Sequence, residues 1–155
     1  MTGVSANNLV KSFESVPALR GLSFNVEQGT MFGLIGPNGA GKSTFMRIAV
    51  CLLAQDAGSL AINGFDTLTN AGAIRGIIGY MPQHFSLYPD LSVGENLVFF
   101  ADLFGVPRKE RARRIEELLA FSRLEPFLKR RAGALSGGMK QKLALSCALI
   151  HTPEI

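Results

Sequence analysis

One run of nine residues stands apart for the chemistry it could do: Gly36, Pro37, Asn38, Gly39, Ala40, Gly41, Lys42, Ser43 and Thr44. It fits the pattern G-x-x-x-x-G-K-[ST], between an apolar stretch at 31–35 and a helical one that follows, which is the setting the pattern requires. Its glycines let the backbone curl until several N–H groups aim at one centre. A helix starting near Lys42 adds the positive end of its dipole, which favours an anion. Lys42 supplies a point charge for β- and γ-phosphates, and Ser43 an oxygen for Mg²⁺.

A second run is Leu135, Ser136, Gly137, Gly138 and Met139. Ser136 is a good N-cap for a helix carrying Met139, Leu143, Leu145 and Leu149. Alone it reads as an ordinary helix start with free N–H groups. Beside a phosphate loop it reads as a second phosphate-binding end. His84 and His151 have no metal-ligating companions and read as surface residues. Cys51 and Cys147 are too few for a disulfide framework. Both lie in apolar stretches and read as buried thiols of a reducing compartment.

The elements that must position these residues follow from pattern. Residues 8–13, 18–26 and 31–35 are short, apolar or β-branched, and separated by turn residues, so they read as strands. The stretch 31–35 is almost uniformly apolar, which suits a parallel strand covered on both faces. Residues 42–53 read as a helix, and 59–63 and 77–80 as two further strands. From Val93 the pattern turns helical. Residues 93–104 form one helix. Pro107 opens the next, in which Ala112, Ile115, Leu118, Leu119 and Ser122 share a face. A third helix covers about 137–150.

Composition bounds the answer. The chain has 155 residues, 47% of them hydrophobic and 18% charged, enough for a sizeable core and incompatible with a disordered tail. The N-terminus lacks the basic and apolar regions of a signal peptide. The longest unbroken apolar run, 48–54, falls far short of the roughly 20 residues of a spanning helix. The expectation is a soluble chain whose membrane association goes through a partner. Residues 108–131 hold nine Lys/Arg against four Asp/Glu, a local surplus of five within a net charge of +4. A nucleic-acid or anionic-lipid contact is the sharper alternative; the segment is read as the solvated face of two helices, and no direct nucleic acid is expected.

Taken in order, the phosphate loop and the run Leu135-Ser136-Gly137-Gly138-Met139 resemble the ATP-binding cassette (ABC) family, whose signature is LSGGQ, with Met139 where glutamine is usual. The resemblance covers essentially the whole chain. It implies that Phe13 stacks on adenine. It also implies that Gln83, in Tyr80-Met81-Pro82-Gln83, is the glutamine that reaches toward Mg²⁺ and the attacking water. Residues 87–96 resemble the segment that follows this glutamine in exporter-type members. The implied fold is α/β, a P-loop NTPase of ABC ATPase type. Its antiparallel β subdomain is at roughly 1–30 and 58–65, and its helical subdomain at about 90–145.

The resemblance also implies partners. Two such domains, identical or different, pair so that ATP lies between one phosphate loop and the other chain's signature helix. A membrane-spanning subunit holds the pair at the cytoplasmic face. Residues 1–155 read as the N-terminal part of the domain. The family's Walker B carboxylates, the loop after them and the switch histidine have no match here, so the chain as it stands is expected to be inactive alone. Three functions are compatible with this: the ATPase of an exporter, a soluble or ribosome-associated cassette ATPase, or a non-catalytic remnant. The apolar residues Phe85, Leu87 and Tyr88, in an expected exposed loop, suggest a docking surface for the membrane partner.

Overall fold

Two long strands, β1 (Thr2–Phe13) and β2 (Val16–Glu27), pair antiparallel in a register that runs from Thr2 opposite Glu27 to Phe13 opposite Val16. β3 (Ala57–Ile62) pairs with the other edge of β1, and the short β4 (Phe65–Asp66) with β3, giving the order β2-β1-β3-β4. The computed structural model describes residues 2–83 and 87–155. The chain divides into two units, Met1–Ile78 with Ile155, and Gly79–Glu154.

In the first unit, alternate residues of the sheet turn inward: Ala6, Leu9, Leu19, Leu60 and Ile62 are buried. Helix α1 (Lys42–Ala49) lays Phe45, Ile48 and Ala49 against them. Each such large side chain contributes about 1.5–3 kcal/mol by leaving water. α1 ends a turn earlier than its apolar pattern suggests. Cys51 takes a left-handed φ of 57° and donates its N–H to Ile48, while Leu52 donates to Arg47. α2 (Ala71–Ile77) closes this unit and buries Ile74.

Two expected strands do not form. Residues 31–35 lie in no ladder, and Ile35 is 95% exposed, with Met31 and Phe32 also exposed. Their apolar character is that of a strand needing partners on both sides, and no described strand supplies them. Residues 77–80 also fail to form a strand: Ile77 ends α2, and 78–80 form no regular element.

The second unit is helical. It contains α3 (Val93–Leu103), α4 (Arg108–Ser122) and α5 (Gly137–Leu149), with short 3-10 turns at Glu125–Phe127 and Ala132–Ala134. Pro107 caps α4 from outside rather than occupying its first turn. Val93, Leu97, Leu119, Leu124, Leu143 and Cys147 form its main core. Burial pushes the Cys147 thiol up to about 12. Cys51, expected to be buried, is only half-buried. His151, expected at the surface, is half-buried and stacks on Phe104 with ring centroids 4.0 Å apart.

The start of α3 is fastened three ways. Ser92 and Glu95 form a reciprocal capping box, with Ser92 N–H donating to the Glu95 carboxylate at 2.7 Å and Glu95 N–H to Ser92 Oγ at 3.2 Å. Segment 128–132 runs antiparallel beside it: Val93 N–H donates to Arg130, Gly94 to Leu128, and Ala132 to Leu91. The fully buried Asn96 accepts from Tyr88 N–H at 3.1 Å. Its amide donates to the carbonyls of Tyr88, Leu91 and Ser92 at 3.0, 3.2 and 2.9 Å.

Candidate functional site

The loop between residue 36 and α1 owes its shape to two glycines. Gly39 and Gly41 have φ of 82° and 87°, a left-handed region that costs other residues roughly 1–2 kcal/mol. Gly41 is also wedged. A Cβ there would lie 2.4 Å from the Ala18 carbonyl oxygen and 2.7 Å from Leu19 Cδ2. The start of β2 is thus a wall against which the loop is set, a role for Ala18 and Leu19 that only close packing reveals. Ala40 N–H donates to Pro37 O at 3.2 Å and closes the turn.

α1 starts directly at Lys42 with Gly41 as its N-cap and no side-chain cap. Phe45 N–H makes the first intrahelical bond, to Gly41 O at 2.9 Å, so by helix geometry the amides of Lys42, Ser43 and Thr44 precede the ladder. Lys42 Nζ curls back over the loop and donates to Gly36 O and Pro37 O, both at 2.7 Å. Ser43 is exposed. Beside the loop an open cleft of about 660 Å³ is lined by Leu19, Arg20, Leu34, Gly39, Gly41 and Lys42. Left-handed glycines, an uncapped helix N-terminus and a cation suit this loop to an anion, and the concavity beside it to an extended one such as a polyphosphate.

Phe13 belongs to the same unit and ends β1, 46% exposed. It pairs with Val16, two residues before Ala18, so the ring stands on the strand pair that walls the loop. Lys11 Nζ lies 5.9 Å from the ring centroid and is anchored to Asp56 at 2.6 Å. The Lys11 ammonium and then the Ser12 N–H hold the Asp56 carboxyl below its ordinary value.

The remaining expected site residues lie in the second unit. Gln83 is exposed at a bend. Ser136 caps α5, accepting from Met139 N–H at 3.4 Å. Gly137 and Gly138 are exposed, and a Cβ on either would meet open space. Leu135 is buried, and Met139 packs against the helical core. The expected docking patch is only partly as the sequence suggested. Tyr88 is exposed, but Leu87 is 7% exposed and belongs to the core, because the Asn96 bonds draw the loop inward. His84, Phe85 and Ser86 lie outside the described residues. A groove of about 790 Å³ on this unit, which the sequence did not suggest, has Val98, Phe99, Ile115 and Leu128 as its apolar lining, with Glu95 and Lys129 beside them.

The profile of the ABC transporter family matches residues 19–155. The chain is 46% identical over 154 residues to the probable multidrug ABC transporter ATP-binding protein YbhF of Escherichia coli (strain K12), covering 98% of this chain and 27% of that protein. It is 38% identical over 155 residues to the Nod factor export ATP-binding protein I of Rhizobium etli, covering 100% of this chain and 49% of that one. A solved ATP-binding subunit of an ABC transporter superposes with a TM-score of 0.87 at 33% identity, over 97% of this chain and 62% of that structure. The chain therefore spans about a quarter to a half of the length of these curated relatives.

Proposed function

Because the chain belongs to the ABC transporter family, we propose that it is the nucleotide-binding part of an exporter's ATPase, coupling ATP binding and hydrolysis to a separate membrane subunit. The observation that carries this reading is the phosphate loop: left-handed Gly39 and Gly41, the loop wedged against Ala18, and Lys42 above the first amides of an uncapped helix. The export assignment draws on relatives whose names specify multidrug transport and Nod factor export.

In this reading residues 36–44 wrap the β-phosphate with backbone amides, and Lys42 bridges toward the γ-phosphate. Phe13 stacks on the adenine. The loop fits such a group, since the space a Cβ would need at Gly41 is already taken by β2, which holds the amides in place. Mg²⁺ neutralises phosphate charge when bound and takes few protein ligands beside phosphate oxygens. Ser43 is the ligand proposed from the loop, and Gln83 the second oxygen and water-orienting group on the family resemblance. Leu135, Ser136, Gly137, Gly138 and Met139 would close on the nucleotide of a second ATPase domain.

Residues 1–155 are proposed as the N-terminal part of the domain, with its helical part at about 90–145. The carboxylates that complete hydrolysis have no match in it. Among the described residues no helix is long and apolar enough to cross a membrane. We place the protein at the cytoplasmic face of the membrane through its membrane subunit. Tyr88, exposed, is the residue of the expected docking patch that we assign to that subunit.

Titration with a fluorescent ATP analogue tests the nucleotide site. Lys42→Ala should weaken binding on the order of 10- to 100-fold, the worth of one hydrogen-bonded charge. Equal affinity of the two forms would remove the phosphate-loop assignment.

A further inference from the structure

The cations of α4 are not equivalent. Three of the helix's cations are neutralised locally, Arg111 by Asp102, Arg113 by Glu117 at 2.7 Å and Arg114 by Glu110 at 2.6 Å, whereas Arg108 and Lys109 at its start form no ion pair among the described residues. Past residue 120 the pattern changes. Between 121 and 131 stand Arg123, Lys129, Arg130 and Arg131 against the single carboxylate of Glu125. All four cations are exposed. Arg131 lies within the field of Glu95. Arg123, Lys129 and Arg130 form no ion pair among the described residues.

The segment is also compact. Leu124 N–H donates to Leu119, Phe127 to Leu124 and Arg130 to Phe127, so the backbone that carries these exposed cations is tightly turned. Two apolar side chains stand out among them, Phe121 at 67% and Leu128 at 39% exposure. A purely solvated face explains the charges but not these two.

We propose that the surface formed by residues 121–131 binds the headgroups of an anionic lipid bilayer. Arg123, Lys129 and Arg130 take the lipid phosphates, and Phe121 and Leu128 enter the interface between headgroups and acyl chains. Juxtaposed cations and exposed apolar side chains are the two components that peripheral membrane attachment combines. Single-stranded nucleic acid would need aromatic platforms for its bases. Here a single ring, Phe121, is exposed, which is no succession of platforms; Phe127 is half-buried against the helical core with Arg130 near its ring at 5.9 Å, and Leu128 cannot stack. The proposal does not depend on the nucleotide site, and a failure of one leaves the other standing.

The test uses the full-length protein without its membrane subunit. It is sedimented with phosphatidylcholine vesicles with and without phosphatidylglycerol. Binding should appear with the anionic vesicles and fade as salt is raised. Each cation near an anionic surface is worth a factor of about five, so Lys129→Gln with Arg130→Gln should weaken binding roughly 25-fold. Lys129→Arg with Arg130→Lys should restore it. Phe121→Ser should weaken it as well, through lost insertion. Fluorescent-ATP binding and thermal unfolding of each variant report whether it is folded. No sedimentation with anionic vesicles would overturn the proposal, as would equal sedimentation of the folded Gln variant. So would tighter, charge-dependent retention on single-stranded RNA than on vesicles.

Discussion

Replacing Gly41 by alanine separates two reasons for a glycine that usually come together. Gly39 and Gly41 have nearly the same left-handed φ, 82° and 87°, so alanine at either pays the same backbone strain of roughly 1–2 kcal/mol. At Gly39 the new methyl meets nothing within 4 Å, and strain is the whole cost. At Gly41 it would sit 2.4 Å from the Ala18 carbonyl oxygen, where an ordinary C···O contact is about 3.3 Å. Loop or strand must therefore give way by about 0.9 Å. Ala18 sits at an irregularity of the β1–β2 ladder, between Pro17 opposite Ser12 and Leu19 opposite Lys11, and the forced shift adds about 1–3 kcal/mol in the manner of an overpacked core.

Gly39→Ala should thus lower stability by about 1–2 kcal/mol, and Gly41→Ala by about 2–5 kcal/mol. For a domain of this size that is roughly 2–8 °C against 4–20 °C in melting temperature. Gly41→Ala should also lose more affinity for a fluorescent ATP analogue, because the displaced amides no longer converge. Paired urea unfolding and nucleotide titration of the two variants measure both effects. If the two alanine variants were equally stable, the wall formed by Ala18 and Leu19 would not be what sets the loop, and the reasoning would fail.

Asn96→Ala should cost about 2–4 kcal/mol, since it strands both the N–H and the carbonyl of Tyr88, while the Leu91 and Ser92 carbonyls keep the N–H groups of Ala132 and residue 96; hydrogen exchange should localise the loss to 88–92. The Ser92 N–H, and then the Ser92 hydroxyl, hold the Glu95 carboxyl below its ordinary value. A depressed folded-state value stabilises above the unfolded one and is lost as pH falls through the folded one. Glu95→Gln should therefore lower the melting temperature at neutral pH, with the gap to the parent narrowing in acid; a gap independent of pH would refute the capping role of the charge. Gly137→Asp has open space for its side chain and should melt like the parent. It should keep monomer nucleotide affinity yet suppress hydrolysis in an assembled dimer, because a carboxylate would face the partner's γ-phosphate; unchanged phosphate release would reduce Gly137 to a plain helix start.

The sequence showed most clearly what depends on local spacing. The phosphate loop, the Ser136 cap and the three long helices fall close to where glycine placement and 3.6-residue periodicity put them. It misled where pairing decides the outcome. Residues 31–35 have strand composition, but a strand exists only with a neighbour to take its N–H and C=O groups. α2 is hidden in the sequence because Gly72 and Gly76 lower helix propensity and Ile77-Ile78 looks like a strand. The capping box is legible in the spacing of Ser92 and Glu95. Asn96 was not legible, since its partners are backbone groups of an irregular loop. The same bonds explain why Leu87, apolar and in a loop, is inside.

The position of the Lys42 amine has an entropic consequence. An unconstrained lysine carries about 2 kcal/mol of rotamer freedom, which an arriving anion would have to quench. Here the loop carbonyls of Gly36 and Pro37 already hold two of the three ammonium hydrogens. The third is left for an anion bound as proposed, in which case the side chain need not be ordered again on binding. Folding has already fixed its conformation, and the charge contact can be made with little further loss of freedom.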